Sequence, residues 1–246
     1  METQANSFPE TIKTMFGIIC PHYDRINRIL SLGRDFFWRH ALSRRFKVID
    51  QPGEFLDLAT GTGCQLVSAR KYWPKAHLVG LDFSAPMLEA ATARLKNSSQ
   101  IQTEPSPEPV MVLGDALSAP LGQDRFDSIS ISFGLRNILE RSHLYHKAYE
   151  ALKPGGRFLI LEFWHDPRTW WARFHRTYLL KVVPFLATCI LGAQQTAYRY
   201  LARSVILFPD PGRLTDELVQ AGFTDPGFRT FTFGAVMLVW AHKPNH

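Results

Sequence analysis

The stretch with the most chemistry in it is Leu56-Asp57-Leu58-Ala59-Thr60-Gly61-Thr62-Gly63. A short apolar run holding one acid stops at two glycines, and a helical pattern follows. Glycine tolerates backbone angles closed to other residues and lets a ligand approach the main chain. The helix beginning behind the turn offers free N–H groups. A dinucleotide fingerprint would need a third glycine for pyrophosphate approach and helix–strand packing. Counted from Gly61, that position is Leu66, whose bulk argues against NAD or FAD.

An acid ahead of a two-glycine turn suits S-adenosylmethionine instead. Asp57 would hold the amino-acid end of that cofactor, either through the loop or through water. Asp82 ends the next apolar run, 25 residues after Asp57. A carboxylate there can accept from two ribose hydroxyls. Gly114-Asp115-Ala116 ends a third run, and Asp115 can accept from the exocyclic amine of adenine. Taken singly, Gly61–Gly63 is also a tight turn, and Asp82 and Asp115 are also helix caps. In sequence order, the three align along one edge of a sheet. The cofactor residues expected from these motifs are Asp57, Gly61, Gly63, Asp82 with its neighbour Phe83, and Asp115. Cys20, Cys64 and Cys189 are too far apart for a disulfide framework or a CxxC metal site, so no metal is expected.

These residues require a particular scaffold. Apolar runs at 55–59, 77–81, 110–113, 126–132 and 157–163 alternate with helical stretches, and Pro154-Gly155-Gly156 reads as the turn before the fifth. Such spacing predicts an α/β fold: a Rossmann-like, mostly parallel sheet with helices on both faces. Residues 9–48 read as two or three helices, and residues 97–109, rich in Ser, Pro and Gln, as a loop. A helix is expected over 214–221, ended by Gly222, and two final strands over 228–241 joined near Gly234. The chain reads as one domain, 1–246, with an N-terminal helical cap (1–50) and a helical insert (164–200). The insert carries Trp164, Trp170, Trp171, Phe174 and Tyr178 among Arg168, Arg173, Arg176 and Lys181. It reads as a lid over a substrate pocket, as an interfacial segment that meets anionic lipid, or as both.

The 246 residues carry 28 Lys and Arg against 22 Asp and Glu, a net charge of +6. That surplus favours anionic partners or simply solubility. No secretory signal or run of about 18 apolar residues is visible. The expectation is a cytoplasmic protein, peripheral on the inner membrane face, with self-association left open. The basic residues form no stripe, so no nucleic-acid partner is expected.

Several longer motifs are similar to the UbiE/MenG C-methyltransferases of ubiquinone and menaquinone biosynthesis. They are residues 16–38 (FGIICPHYDRINRILSLGRDFFW), LDLATGTG, GLDFSAPMLEAA, GDALSAPL, FDSISISFGLRNI, LKPGGRFLILEF and AYRYLARSVILFPDPGRLTDELVQAGF. They span nearly the whole chain in the family's order. LDLATGTG and LKPGG occur in many methyltransferases, whereas SFGLRN and YDRIN are much more specific. The resemblance implies cofactor contacts from Thr62, Asp82, Asp115, Ala116 and Ser132, and a prenylated benzoquinol or naphthoquinol methylated on a ring carbon. Cys64, Val239 and the stretch Trp164-His165-Asp166-Pro167 depart from the family pattern.

A ring carbon becomes nucleophilic when a neighbouring hydroxyl loses its proton, so such a site needs a base or a group that stabilises the phenolate. Arg136 suits phenolate stabilisation; its structural alternative is an ion pair with Asp24 or Glu140. Asn137 would orient a ring oxygen or cap the next helix. Tyr23 would hydrogen-bond the substrate hydroxyl or a bridging water, or is a half-buried helix aromatic. His22 and His165 have side chains suited to proton transfer, but each is read first as a surface or satisfied histidine. The rival readings are a methyltransferase for another hydrophobic phenol and a non-catalytic protein that keeps this fold.

Overall fold

A computed structural model of the protein describes residues 24–25, 27–28, 31–46, 53–99, 106–185, 188 and 195–245. Its strands are β1 (Glu54–Leu58), β2 (His77–Asp82), β3 (Val110–Leu113), β4 (Phe126–Ser132), β5 (Leu152–Phe163), β6 (Thr224–Phe231) and β7 (Val236–His242). They form one seven-stranded sheet in the order β3-β2-β1-β4-β5-β7-β6. β1 to β5 pair in parallel, and β7 lies antiparallel between β5 and β6. The helices are α1 (Asp35–Ser43), α2 (Cys64–Tyr72), α3 (Ala85–Ser99), α4 (Arg141–Ala151), α5 (Ala172–Thr177), α6 (Gln195–Ile206) and α7 (Pro211–Gln220).

Alternation along the strands sorts the core into two layers. On β1, Phe55 joins Leu78, Leu159, Leu161 and Leu238 beneath α1 and α2, which contribute Trp38, Leu42, Leu66 and Ala69. Leu56 and Leu58 join Ile129, Ile131, Phe158 and Ile160 on the other face, beneath Leu144, Tyr145 and Ala148 of α4 and Leu214 and Leu218 of α7. Burial on both faces accounts for the near-continuous apolar strands. Helix α7 starts three residues before its apolar pattern because Asp210 accepts from the Arg213 N–H at 3.1 Å and Pro211 occupies the first turn.

Two boundaries differ from the sequence expectation. Pro154-Gly155-Gly156 is not a turn before β5 but an irregularity inside it. Phe126 pairs with Leu152 and Ser128 with Arg157, so extra residues bulge out of the fifth strand. The last pair of strands also begins earlier, at Thr224. The loop expected over 97–109 falls partly outside the described residues; α3 runs to Ser99, and residues 106–109 have no regular structure. His22, Tyr23 and most of the N-terminal cap likewise lie outside them.

Leu66 fits where a dinucleotide fold would have glycine because the opposing strand supplies the space. A Cβ built on Gly80 of β2 would lie 2.8 Å from Leu66 Cδ1 and 3.0 Å from the Thr60 methyl. The close helix–strand approach is kept with the small residue on the strand. Gly80→Ala should therefore lower unfolding stability by about 1–3 kcal/mol. Combined with Leu66→Ala, it should cost less than the sum of the single changes in chemical denaturation. Strict additivity would show that the two positions do not share that space.

Candidate cofactor and substrate site

The sheet order reverses between β1 and β4, and the crevice at the carboxyl ends of these strands is where open α/β sheets take ligands. Asp57 lies in that crevice, paired in register with Ser130 of β4. Ser130 donates to Asp57 Oδ1 at 2.7 Å and Thr60 donates to Oδ2 at 2.8 Å. The acid thus braces the turn after β1 against the neighbouring strand. Burial raises its carboxyl to about 6, opposed by these two hydroxyls and by the Arg39 charge.

The turn itself is tightly shaped. Ala59, Gly61 and Gly63 all have positive φ. A Cβ on Gly63 would strike the Ala91 side chain of α3 at 2.9 Å, whereas Gly61 faces open space. Gly61 therefore leaves the main chain accessible, and Gly63 lets α3 pack close. At the end of β4, Phe133 also has positive φ, and a Cβ on Gly134 would lie 2.9 Å from that of Ala59. The two strand ends are pressed together in unusual conformations, which cluster at ligand sites.

Asp82 accepts from the N–H of Gly61 at 2.8 Å and of Ser84 at 2.9 Å. Burial raises its carboxyl, against these N–H donors and that of Phe83. Asp82 thus joins the ends of β1 and β2. Asp115 is exposed at the end of β3, accepts from the Leu117 N–H at 2.9 Å and stands beside the buried Ala116. Ser132 ends β4, with its hydroxyl 3.4 Å from Gln65 Oε1. Thr62 donates to Asp24 at 2.6 Å, and Asp24 also pairs with Arg94 of α3. This brings the N-terminal segment onto the glycine turn.

Arg136 corrects one alternative. Its partner is neither Asp24 nor Glu140 but Glu162 of β5, at 2.6 Å, and the two side chains are 6% and 0% exposed. Glu162 also accepts from the Arg136 and Phe163 N–H groups. Arg136 Nη1 donates to the Phe133 carbonyl as well, while its buried Nε has no hydrogen-bond partner. Asn137 does not cap α4, which starts at Arg141 after Glu140; its Oδ1 accepts from Tyr200 of α6 at 3.1 Å. Glu162 and Tyr200 were not singled out in the sequence. The lone acid in the apolar run FLILEF was the available signal for Glu162.

The insert and the rest of α6 pack a small cluster of Leu179, Val183, Ala202 and Val205 and roof a cavity of about 890 Å³. Trp38, Phe163, Trp171, His175, Tyr178 and Val183 are among the lining residues. Phe163 packs against Phe133 in a tilted contact at 4.4 Å between ring centres, so the cavity adjoins the β4 end. His165 and His175 face each other at 3.3 Å through their Nδ1 atoms, and Trp171 stacks over His175. Burial lowers both imidazoles, His175 to about 4. Trp170 at the mouth is 88% exposed.

The doubly wound sheet with an antiparallel β7, an acid-braced glycine turn and acids ending β2 and β3 defines an S-adenosyl-L-methionine-dependent methyltransferase. Solved structures share the fold: a SAM-dependent methyltransferase of Thermotoga maritima has a TM-score of 0.63 at 16% identity, covering 93% of this chain and 99% of that one. Phosphoethanolamine N-methyltransferase 2 of Haemonchus contortus has a TM-score of 0.59 at 16% identity, over 84% of this chain and 52% of that one. Residues 3–243 match the model of the ubiE/COQ5 methyltransferase family, and the chain belongs to that family. Among its relatives, the demethylmenaquinone methyltransferase of Thermus thermophilus is 36% identical over 94% of this chain and 100% of its own length. That of Clavibacter sepedonicus is 36% identical over 99% and 95%, and that of Mycobacterium tuberculosis 34% identical over 96% and 94%.

The raised Asp57 carboxyl carries a sign. Between pH 4 and 6 the folded state holds this proton more tightly than the unfolded chain, so stability falls as pH rises through that window. The cost is complete above pH 6 and is on the order of 3 kcal/mol. In Asp57→Asn, urea midpoints compared at pH 4.5 and 6.5 should lose most of that fall. A slope matching the parent protein's would mean that other groups cause it.

Proposed function

We propose that the chain transfers the methyl group of S-adenosyl-L-methionine to a ring carbon of a prenylated quinol, demethylmenaquinol or the ubiquinol precursor. The observation that carries this reading is the apolar cavity beside the cofactor edge, of a size and lining suited to a hydrophobic ring and the start of its tail. The names of the relatives agree with it. In this reading the chain works as one domain, with residues 1–50 as a cap and 164–200 as a lid.

Loss of the quinol hydroxyl proton places charge on the ring, the ring carbon attacks the methyl group, the carbon–sulfur bond breaks, and the ring carbon then sheds its own proton. The protein aligns carbon, methyl and sulfur and excludes water. Asp57, Gly61, Thr62, Gly63, Asp82, Phe83, Asp115, Ala116 and Ser132 hold the cofactor. Arg136 stabilises the quinolate oxygen through the N–H that its ion pair leaves unused. Asn137 orients a ring oxygen, with its amide held by Tyr200, and Tyr23 hydrogen-bonds the substrate hydroxyl.

Purified protein, methyl-labelled cofactor and reduced demethylated prenyl quinols in detergent should give label on a ring carbon, read by mass spectrometry. Cofactor binding with no label on any quinol would overturn the reading. Arg136→Ala should cut kcat by roughly 10²–10³-fold with little change in cofactor affinity; equal loss of both would remove Arg136 from the chemistry.

No helix among the described residues is long and apolar enough to cross a membrane. The insert and the N-terminal segment expose Leu32, Phe37, Trp170, Phe174 and Phe185 beside cationic side chains. We propose that this face rests on the cytoplasmic membrane surface, where a bilayer-borne quinol can enter the cavity. The protein should sediment with anionic liposomes at low salt and be released at high salt. Its remaining in the supernatant at low salt would refute this.

A further inference from the structure

Arg39 lies on α1, immediately after Trp38, outside every motif assigned to the cofactor. Its guanidinium sits over the Phe133 ring, 5.0 Å from the centroid. Phe133 is the positive-φ residue at the end of β4, next to Gly134, which lies against Ala59 of the β1 turn. The Arg39 charge also acts on Asp57, beneath the glycine turn, and on Cys64, the first residue of α2 behind it. Arg39 therefore stands beside the glycine turn and the end of β4.

Beyond the face of the Phe133 ring, the guanidinium has no hydrogen-bond or ion-pair partner among the described residues. Arg39 Nε is buried and makes no hydrogen bond, and among the described residues no carboxylate lies within ion-pair distance of Arg39. The neighbouring acids are otherwise engaged. Asp24 holds Arg94 and Thr62, Asp57 holds Thr60 and Ser130, and Asp82 holds backbone N–H groups. A buried guanidinium N–H left without an acceptor is costly. An arginine kept in that state beside a ligand site implies that the ligand brings the acceptor.

The cofactor carries a carboxylate on its amino-acid end. Its ammonium and sulfonium are drawn to the acidic side of the crevice, where Asp57 lies. The carboxylate needs the opposite environment, and the N–H groups at the start of α2 supply only partial charge. We propose that Arg39 binds the α-carboxylate of S-adenosylmethionine by a charge-assisted hydrogen bond, closing α1 over the glycine turn. Arg39 thereby makes the site selective for a ligand with an intact amino-acid carboxylate.

The test compares two ligands by calorimetry: S-adenosylhomocysteine and its decarboxylated counterpart, S-adenosyl-3-thiopropylamine. The wild-type protein should prefer the carboxylate-bearing ligand by roughly 10- to 100-fold. Arg39→Met should abolish that preference while binding the decarboxylated ligand as the wild type does, which also shows that the variant is folded. Arg39→Lys should retain part of it, because the charge remains but the fork geometry is lost. Three results would each overturn the proposal: a wild-type protein indifferent to the carboxylate, an Arg39→Met variant that keeps the preference, or one that weakens both ligands equally. Neither ligand reports on the methyl acceptor, so the outcome is independent of which quinol the enzyme takes.

Discussion

The structure turns on the carboxylate of Asp57, held out of water between β1 and β4. Two hydroxyls satisfy it, one from the adjacent strand and one from the turn that follows its own strand. Each bond closes a different loop. Ser130 fixes the two strands where the sheet order reverses, and Thr60 folds the turn back on the strand that feeds it. The crevice between those strands can hold a charged ligand only if its walls do not move. A buried acid with both oxygens occupied supplies that rigidity at the cost of a raised carboxyl pKa.

The same logic extends along the edge. Asp82 uses its carboxylate to join the turn after β1 to the start of α3. Glu162 ties the end of β5 to the short 3-10 turn after β4 through Arg136. Asp57, Asp82 and Glu162 thus each tie a strand end to a neighbouring element through hydroxyl, backbone or guanidinium donors. Breaking such a buried pair by removing one partner is far more damaging than its net contribution suggests. A substitution at any of these three acids therefore disturbs more than one contact.

The insert solves a different problem. The carboxyl edge of a doubly wound sheet is open to water, and methyl transfer requires water to be kept away. The π-helical turn after α5 (Tyr178–Val182), Val183 and α6 build a separate apolar cluster, and with α5 they line the cavity. Phe133 and Phe163 form the ring contact between that cavity and the β4 end. Tyr200 reaches down from α6 to Asn137, so the roof is hydrogen-bonded to the site as well as packed over it.

Periodicity and turn chemistry were enough to read the scaffold from the sequence, because apolar alternation and glycine turns are local properties. The five parallel strands, the glycine turn and the acids Asp57, Asp82 and Asp115 at strand ends were all visible in that way. The boundary of β5 was not, since Pro154-Gly155-Gly156 reads as a turn and becomes a bulge only because β4 continues beside it. Pairing of long-range charges was equally hidden. Arg136 could be matched in sequence to any nearby acid, and only the packing of β5 beside β4 put Glu162 within reach. Leu66 opposite Gly80, Tyr200 on Asn137 and Arg39 over Phe133 depend on elements brought together from distant parts of the chain. Local pattern decided which residues stand at the sheet edge; tertiary packing decided what each of them faces.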